Sequence, residues 1–75
     1  MTVRRSKQER RAKMRQWLID LRKDKGLTQE AMAEMLGVTQ PSIGLWESGQ
    51  RTPKPQVAKK VAEILGFDWT KFYEA

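Results

Sequence analysis

Between Thr28 and Gly49, two short runs with helical apolar spacing are separated only by Gly37, Val38 and Thr39, and each run is preceded by a threonine. No other stretch constrains the chain so tightly. The first run, Gln29 to Leu36, has Thr28 as N-cap and Glu30 in its first turn, where a carboxylate faces the positive end of the helix. Met32, Ala33 and Leu36, with Met35 beside them, form its apolar stripe. The second run, Gln40 to Glu47, carries Pro41 in its first turn, where the missing N–H costs nothing and the fixed φ suits a helix. It stops at Ser48-Gly49, because glycine readily takes the left-handed conformation that ends a helix.

Two helices joined by a three-residue turn containing glycine are the sequence signature of a helix-turn-helix. Ile43 and Trp46, three residues apart, share a side and pack inward with Val38. Gln40, Pro41, Gly44 and Leu45 then fall on the opposite side, a flat, small and uncharged face. In a major groove, Gln40 offers a bidentate amide to an adenine edge and Leu45 an apolar contact to a thymine methyl.

Positive charge lies elsewhere in the chain. The formal charge of the 75 residues is +6, but residues 1 to 25 hold ten Lys or Arg against three acidic residues (+7), and residues 26 to 75 hold five against six (−1). Such asymmetry points to a polyanionic partner, although a solubilising tail gives the same composition. Residues 1–9 read as a basic arm, with Arg4, Arg5 and Lys7 either solvated or touching phosphates, and residues 10–75 as a single domain.

The chain has neither cysteine nor histidine, which excludes a disulfide framework, a thiolate zinc site and the usual neutral-pH general base. With no glycine-rich phosphate loop and no nucleophile beside a base, an enzyme is not expected, nor any metal, cofactor or small-molecule ligand. The chain has no run of 18 apolar residues, and Met1 to Gln16 has no apolar segment of the kind a signal peptide needs. A cytoplasmic protein without membrane association, at the nucleoid when DNA-bound, is the expectation.

Further helices frame the central pair. One is expected to begin at Glu9 or Arg10, with Met14, Trp17, Leu18 and Leu21 on its apolar side, and to end at Gly26. Another runs from Pro55 or Gln56 to Leu65, its inner stripe made by Val57, Ala58, Val61, Ala62 and Leu65. Asp68 caps a last short helix, Trp69 to Tyr73, whose Phe72 points inward. The expected core is Leu18, Leu21, Met32, Ala33, Leu36, Val38, Ile43, Trp46, Val61, Leu65 and Phe72. Trp69 and Tyr73 either close that core or form a patch through which two copies pair.

In their order and spacing these residues resemble the Cro/phage-repressor-like (XRE) family. Leu21-Arg22 and Gly26-Leu27-Thr28-Gln29 match its leucine-arginine pair and the approach to its second helix. Ala33, Leu36-Gly37-Val38-Thr39, Ile43, Glu47, Gly49, Pro53, Ala62 and Leu65-Gly66 fall in register, so that the resemblance covers residues 12 to 73. It implies an all-α, compact five-helix lambda-repressor-like DNA-binding domain whose helices 2 and 3 form the helix-turn-helix. It further implies a sequence-specific regulator of transcription, a repressor of bacterial or phage origin that binds double-stranded DNA as a homodimer.

Residue by residue, the resemblance implies an ion pair between Arg22 and Glu47, and phosphate contacts from Thr28, Gln29, Ser42, Arg51 and Lys54. Two positions depart from the family pattern: Gly44 replaces the commoner serine, and Leu45 stands where a basic or polar residue is frequent. The alternative is an antitoxin or small accessory protein of the same fold acting through a protein partner. Because the last helix ends close to the terminus, a short natural protein is expected rather than the DNA-binding half of a larger repressor.

Overall fold

Four α-helices and one 3-10 helix follow one another through residues 14–74, the part of the chain that the computed structural model describes. They are α1 (Gln16–Asp24), α2 (Gln29–Leu36), α3 (Gln40–Ser48), α4 (Pro55–Leu65) and the terminal 3-10 helix (Trp69–Tyr73). The expected five-helix arrangement is thereby corrected to four α-helices and a 3-10 turn among the described residues. The last segment is five residues long, too short to repay the nucleation of an α-helix. It uses tighter i→i+3 bonds instead, from Lys71 N–H to the Asp68 carbonyl (2.9 Å) and from Glu74 N–H to the Lys71 carbonyl (3.3 Å).

Helix α1 also differs from expectation. Met14 and Arg15 are not helical, so the helix starts at Gln16, and Met14 is exposed rather than part of an apolar stripe. The backbone N–H of Arg15 is engaged by the Glu47 carbonyl at 2.8 Å, which draws the chain away from a helical path. Residues 1–13, with the expected arm and helix start, lie outside the described residues. Ile19, absent from the expected stripe, is buried beside Leu18, while Trp17 and Leu21 pack at the core's edge.

Local chemistry accounts for the central pair of helices. Thr28 Oγ1 accepts the Ala31 N–H at 3.0 Å, and Gly37 ends α2 at φ 73°. Gly49 ends α3 in the same left-handed region, at φ 83°. Leu18, Met32, Ala33, Leu36, Ile43, Trp46, Ala58, Val61, Leu65 and Phe72 form one buried cluster, with Val38 half-buried against it. Met35 points to solvent. At the base of the domain Trp17, Phe67 and Phe72 meet edge to face, with centroids 5.0 to 5.6 Å apart.

That aromatic closure makes Phe72 the side chain on which the terminal segment depends. Phe72→Ala is expected to destabilise the domain by about 3 to 5 kcal/mol. Since a domain of this size has only about 4 to 11 kcal/mol to lose, urea unfolding followed by circular dichroism should show a midpoint shifted far toward zero denaturant.

Candidate nucleic-acid interface

Helix α3 has a buried side and an exposed one, with half-buried residues between them. Ile43, Trp46 and Glu47 are buried, Gln40 and Pro41 are exposed, and Gly44 and Leu45 are half-exposed on the outer side. The outer face carries no charge. The one ionic group of the helix, Glu47, is 3% exposed and turned inward to Arg22, itself 8% exposed.

From Glu47 a continuous chain of hydrogen bonds runs out to the surface. Arg22 donates from Nε to Glu47 Oε2 at 2.6 Å and from Nη2 to Oε1 at 3.3 Å, while its Nη1 donates to the Leu27 carbonyl at 2.8 Å. Gln29 Nε2 donates to Glu47 Oε1 at 2.8 Å. Gln40 Nε2 then donates to Gln29 Oε1 at 2.6 Å. The polarity of this chain follows from its buried end. A carboxylate only accepts, so Gln29 turns its NH2 inward and its oxygen outward, and Gln40 must present its own NH2 to that oxygen. This leaves Gln40 with Oε1 and one N–H unspent, an acceptor and a donor side by side at the surface.

The remaining expected contact residues surround this face at different depths. Thr28 is exposed beside the α2 N-terminus, its Oγ1 accepting the Ala31 N–H while its own O–H remains able to donate. Ser42 Oγ and Thr39 Oγ1 pair at 2.9 Å in the first turn of α3. Arg51 and Lys54 are exposed in the loop that follows α3. Arg4, Arg5 and Lys7 lie outside the described residues. In the terminal 3-10 helix, Trp69 and Tyr73 meet edge to face at 5.8 Å, Lys59 Nζ sits 5.0 Å from the Trp69 ring centroid, and the Tyr73 hydroxyl donates to the Pro53 carbonyl at 2.7 Å.

Arg15, which no sequence motif singles out, also belongs to this region. Its Nη1 donates to the carbonyls of Trp46 (2.6 Å) and Arg51 (2.8 Å), and its Nη2 to Thr52 Oγ1 (2.6 Å). The guanidinium carbon lies 5.4 Å from the Phe72 ring centroid. Burial lowers the Arg15 pKa, opposed by the Tyr73 phenol, yet an arginine stays protonated at neutral pH. In the sequence Arg15 is one cation in a basic run, with nothing local to separate it from its neighbours.

Among the described residues no group of three or more histidine, cysteine or acidic side chains is arranged to hold a metal ion. No helix among them is long and apolar enough to cross a membrane.

Residues 18–72 match a protein family described as helix-turn-helix. An uncharacterized HTH-type transcriptional regulator of Bacillus subtilis, YqaF, is 44% identical over 61 residues, which cover 81% of this chain and 80% of the relative. A second uncharacterized HTH-type transcriptional regulator, from Methanothermobacter thermautotrophicus, is 42% identical over 53 residues, 71% of this chain and 77% of the relative. No solved structure matches the chain.

Two substitutions in α3 are expected to move stability in opposite directions. Glu47→Gln leaves Arg22 buried beside a neutral group and should cost about 3 to 5 kcal/mol. Gly44→Ala should stabilise by about 0.5 to 1 kcal/mol, since alanine is the better helix former. The added Cβ would meet only Gln29 Nε2, at an ordinary 3.9 Å. Thermal melts of the two variants beside the parent check both signs.

Proposed function

The chain belongs to the XRE-type helix-turn-helix family, and on that premise we propose that it is a transcriptional regulator that binds double-stranded DNA by seating α3 in the major groove. The observation that carries the reading is the hydrogen-bond chain from Glu47 through Gln29 to Gln40. It holds at the surface an acceptor and a donor in the pattern that complements the N6 amino group and N7 of adenine. Pro41, Gly44 and Leu45 complete a reading face of small and apolar groups, with Leu45 suited to a thymine methyl.

Phosphates on either side are bound by the groups around this face. Gln29, Thr28 and the unpaired N–H groups of the α2 N-terminus serve one strand, as helix N-termini favour anions. Ser42, Arg51 and Lys54 serve the flanks of α3, and Arg4, Arg5 and Lys7 add affinity that depends on salt but not on sequence. The protein acts in the cytoplasm, at the nucleoid when bound. Both relatives are named as transcriptional regulators, which favours this reading over an antitoxin or an accessory module.

The regulator works as a repressor and a homodimer of the Cro/C1 type. One α3 reads about one half-site, and two copies span half-sites one helical turn apart. The exposed Tyr73 beside Trp69 supports pairing through that end of the domain, because it remains 47% exposed even with its hydroxyl anchored to Pro53.

Selection of duplexes from a random pool should recover an inverted repeat. Gln40→Ala is expected to cost about 1 to 3 kcal/mol on the selected site and to relax preference at one base pair. Arg51→Ala should instead weaken every duplex alike and lower the slope of log affinity against log salt by about 0.9. Equal binding by the parent and the Gln40→Ala variant, with an unchanged base preference, would refute the proposed reading face.

A further inference from the structure

The end of the reading helix is fastened by a residue that lies outside the family match. Residues 18–72 carry that match, and Arg15 precedes them. The last carbonyls of any α-helix have no partner within the helix. In α3 Arg15 meets two of them, the Glu47 carbonyl through its backbone N–H at 2.8 Å and the Trp46 carbonyl through Nη1 at 2.6 Å. The same guanidinium crosses to the following loop, where it binds the Arg51 carbonyl and Thr52 Oγ1. Its positive charge also lies at the negative end of the α3 dipole, and its plane is backed by Phe72.

We propose that Arg15 is a positioning residue for DNA binding. It fixes the pitch of α3 and the path of the loop after it, so that Gln40 and Arg51 reach the duplex in one register. The inference rests on α3 being the DNA-reading helix. The acceptors at Trp46, Arg51 and Thr52 belong to the helix and to the loop, so the contact joins two parts that both face the proposed duplex. The donors that reach them are committed inside the domain, which leaves this side chain little capacity to bind a phosphate. A planar guanidinium reaches several fixed acceptors at once, whereas a lysine ammonium supplies the same charge as a compact point without the fork.

That contrast between arginine and lysine supplies the test. Arg15→Lys, Arg15→Gln and the parent are compared for affinity toward the selected duplex and toward a scrambled duplex, at two salt concentrations. Thermal melts confirm that binding is measured below each unfolding transition. Both variants should lose about ten- to a hundredfold in the ratio of specific to scrambled affinity, the loss expected when one or two base contacts are misaligned. The scrambled affinity of Arg15→Lys should stay within about twofold of the parent, since charge is retained. Loss of stability alone would lower the melting temperature without changing that ratio.

A ratio for Arg15→Lys within about twofold of the parent overturns the proposal, because charge alone then suffices. Should neither Arg15 variant fold, Thr52→Val removes one of the three acceptors at constant charge. A ratio reduced by at least about threefold supports the positioning role, and a smaller change overturns it. If the parent itself prefers no duplex, the DNA-reading premise fails and the proposal falls with it. If the parent is selective and Arg15→Lys equally so, the proposal alone fails.

Discussion

The buried pair of Arg22 and Glu47 is the constraint around which the domain is arranged. Taking two charges out of water costs several kcal/mol per ion, and the attraction between them offsets this only when the remaining donors and acceptors are also satisfied. Here they are: Arg22 reaches the Leu27 carbonyl, Gln29 reaches the second carboxylate oxygen, and among the described residues no buried side-chain nitrogen or oxygen lacks a partner. Meeting that demand brings α1, the turn before α2, and α3 to one point. Their relative placement is therefore set by hydrogen-bond geometry as well as by the apolar core, which tolerates small shifts more readily.

The same pair reaches outward to the proposed reading face. Because the Glu47 carboxylate only accepts, it orients Gln29, and Gln29 orients Gln40. A neutral residue at 47 would let both amides flip and would leave the donor and acceptor of the outer face undetermined. Stability and the proposed base reading thus share one group. This is a physical reason for placing a costly buried charge in a domain whose core is otherwise apolar.

Charge and reading surface are separated along the chain. Residues 14–74 hold nine basic and eight acidic residues, a net of +1, whereas residues 1–13 hold six basic and one acidic, a net of +5. On the proposed reading, the uncharged outer face of α3 discriminates between sequences and the cations around it supply attraction to any duplex. The two parts meet at Arg15, where the chain enters the described fold against the last turn of α3. A helix of nine residues is not stable alone in water. Its geometry is imposed from outside, by the core beneath Ile43 and Trp46 and by Arg15 at its carbonyl end.

Elements whose causes are local are legible in the sequence. Thr28 with Glu30, Pro41, Gly37 and Gly49 mark the limits of α2 and α3, because capping and left-handed turns depend on residues within three or four positions. Helical spacing was enough to place Leu18, Met32, Leu36, Ile43, Val61 and Leu65 in the interior. Tertiary structure alone decided where α1 begins, that Met14 and Met35 face solvent, that the terminal segment winds as a 3-10 helix, and that Arg15 clasps α3. It also decided the partners of Gln29, which bonds inward to Glu47 and outward to Gln40 across 18 and 11 residues. The bonds of Arg15 span 31 to 37 residues. No periodicity or cap encodes contacts at such separations, since they exist only once the core has brought the ends of distant helices together.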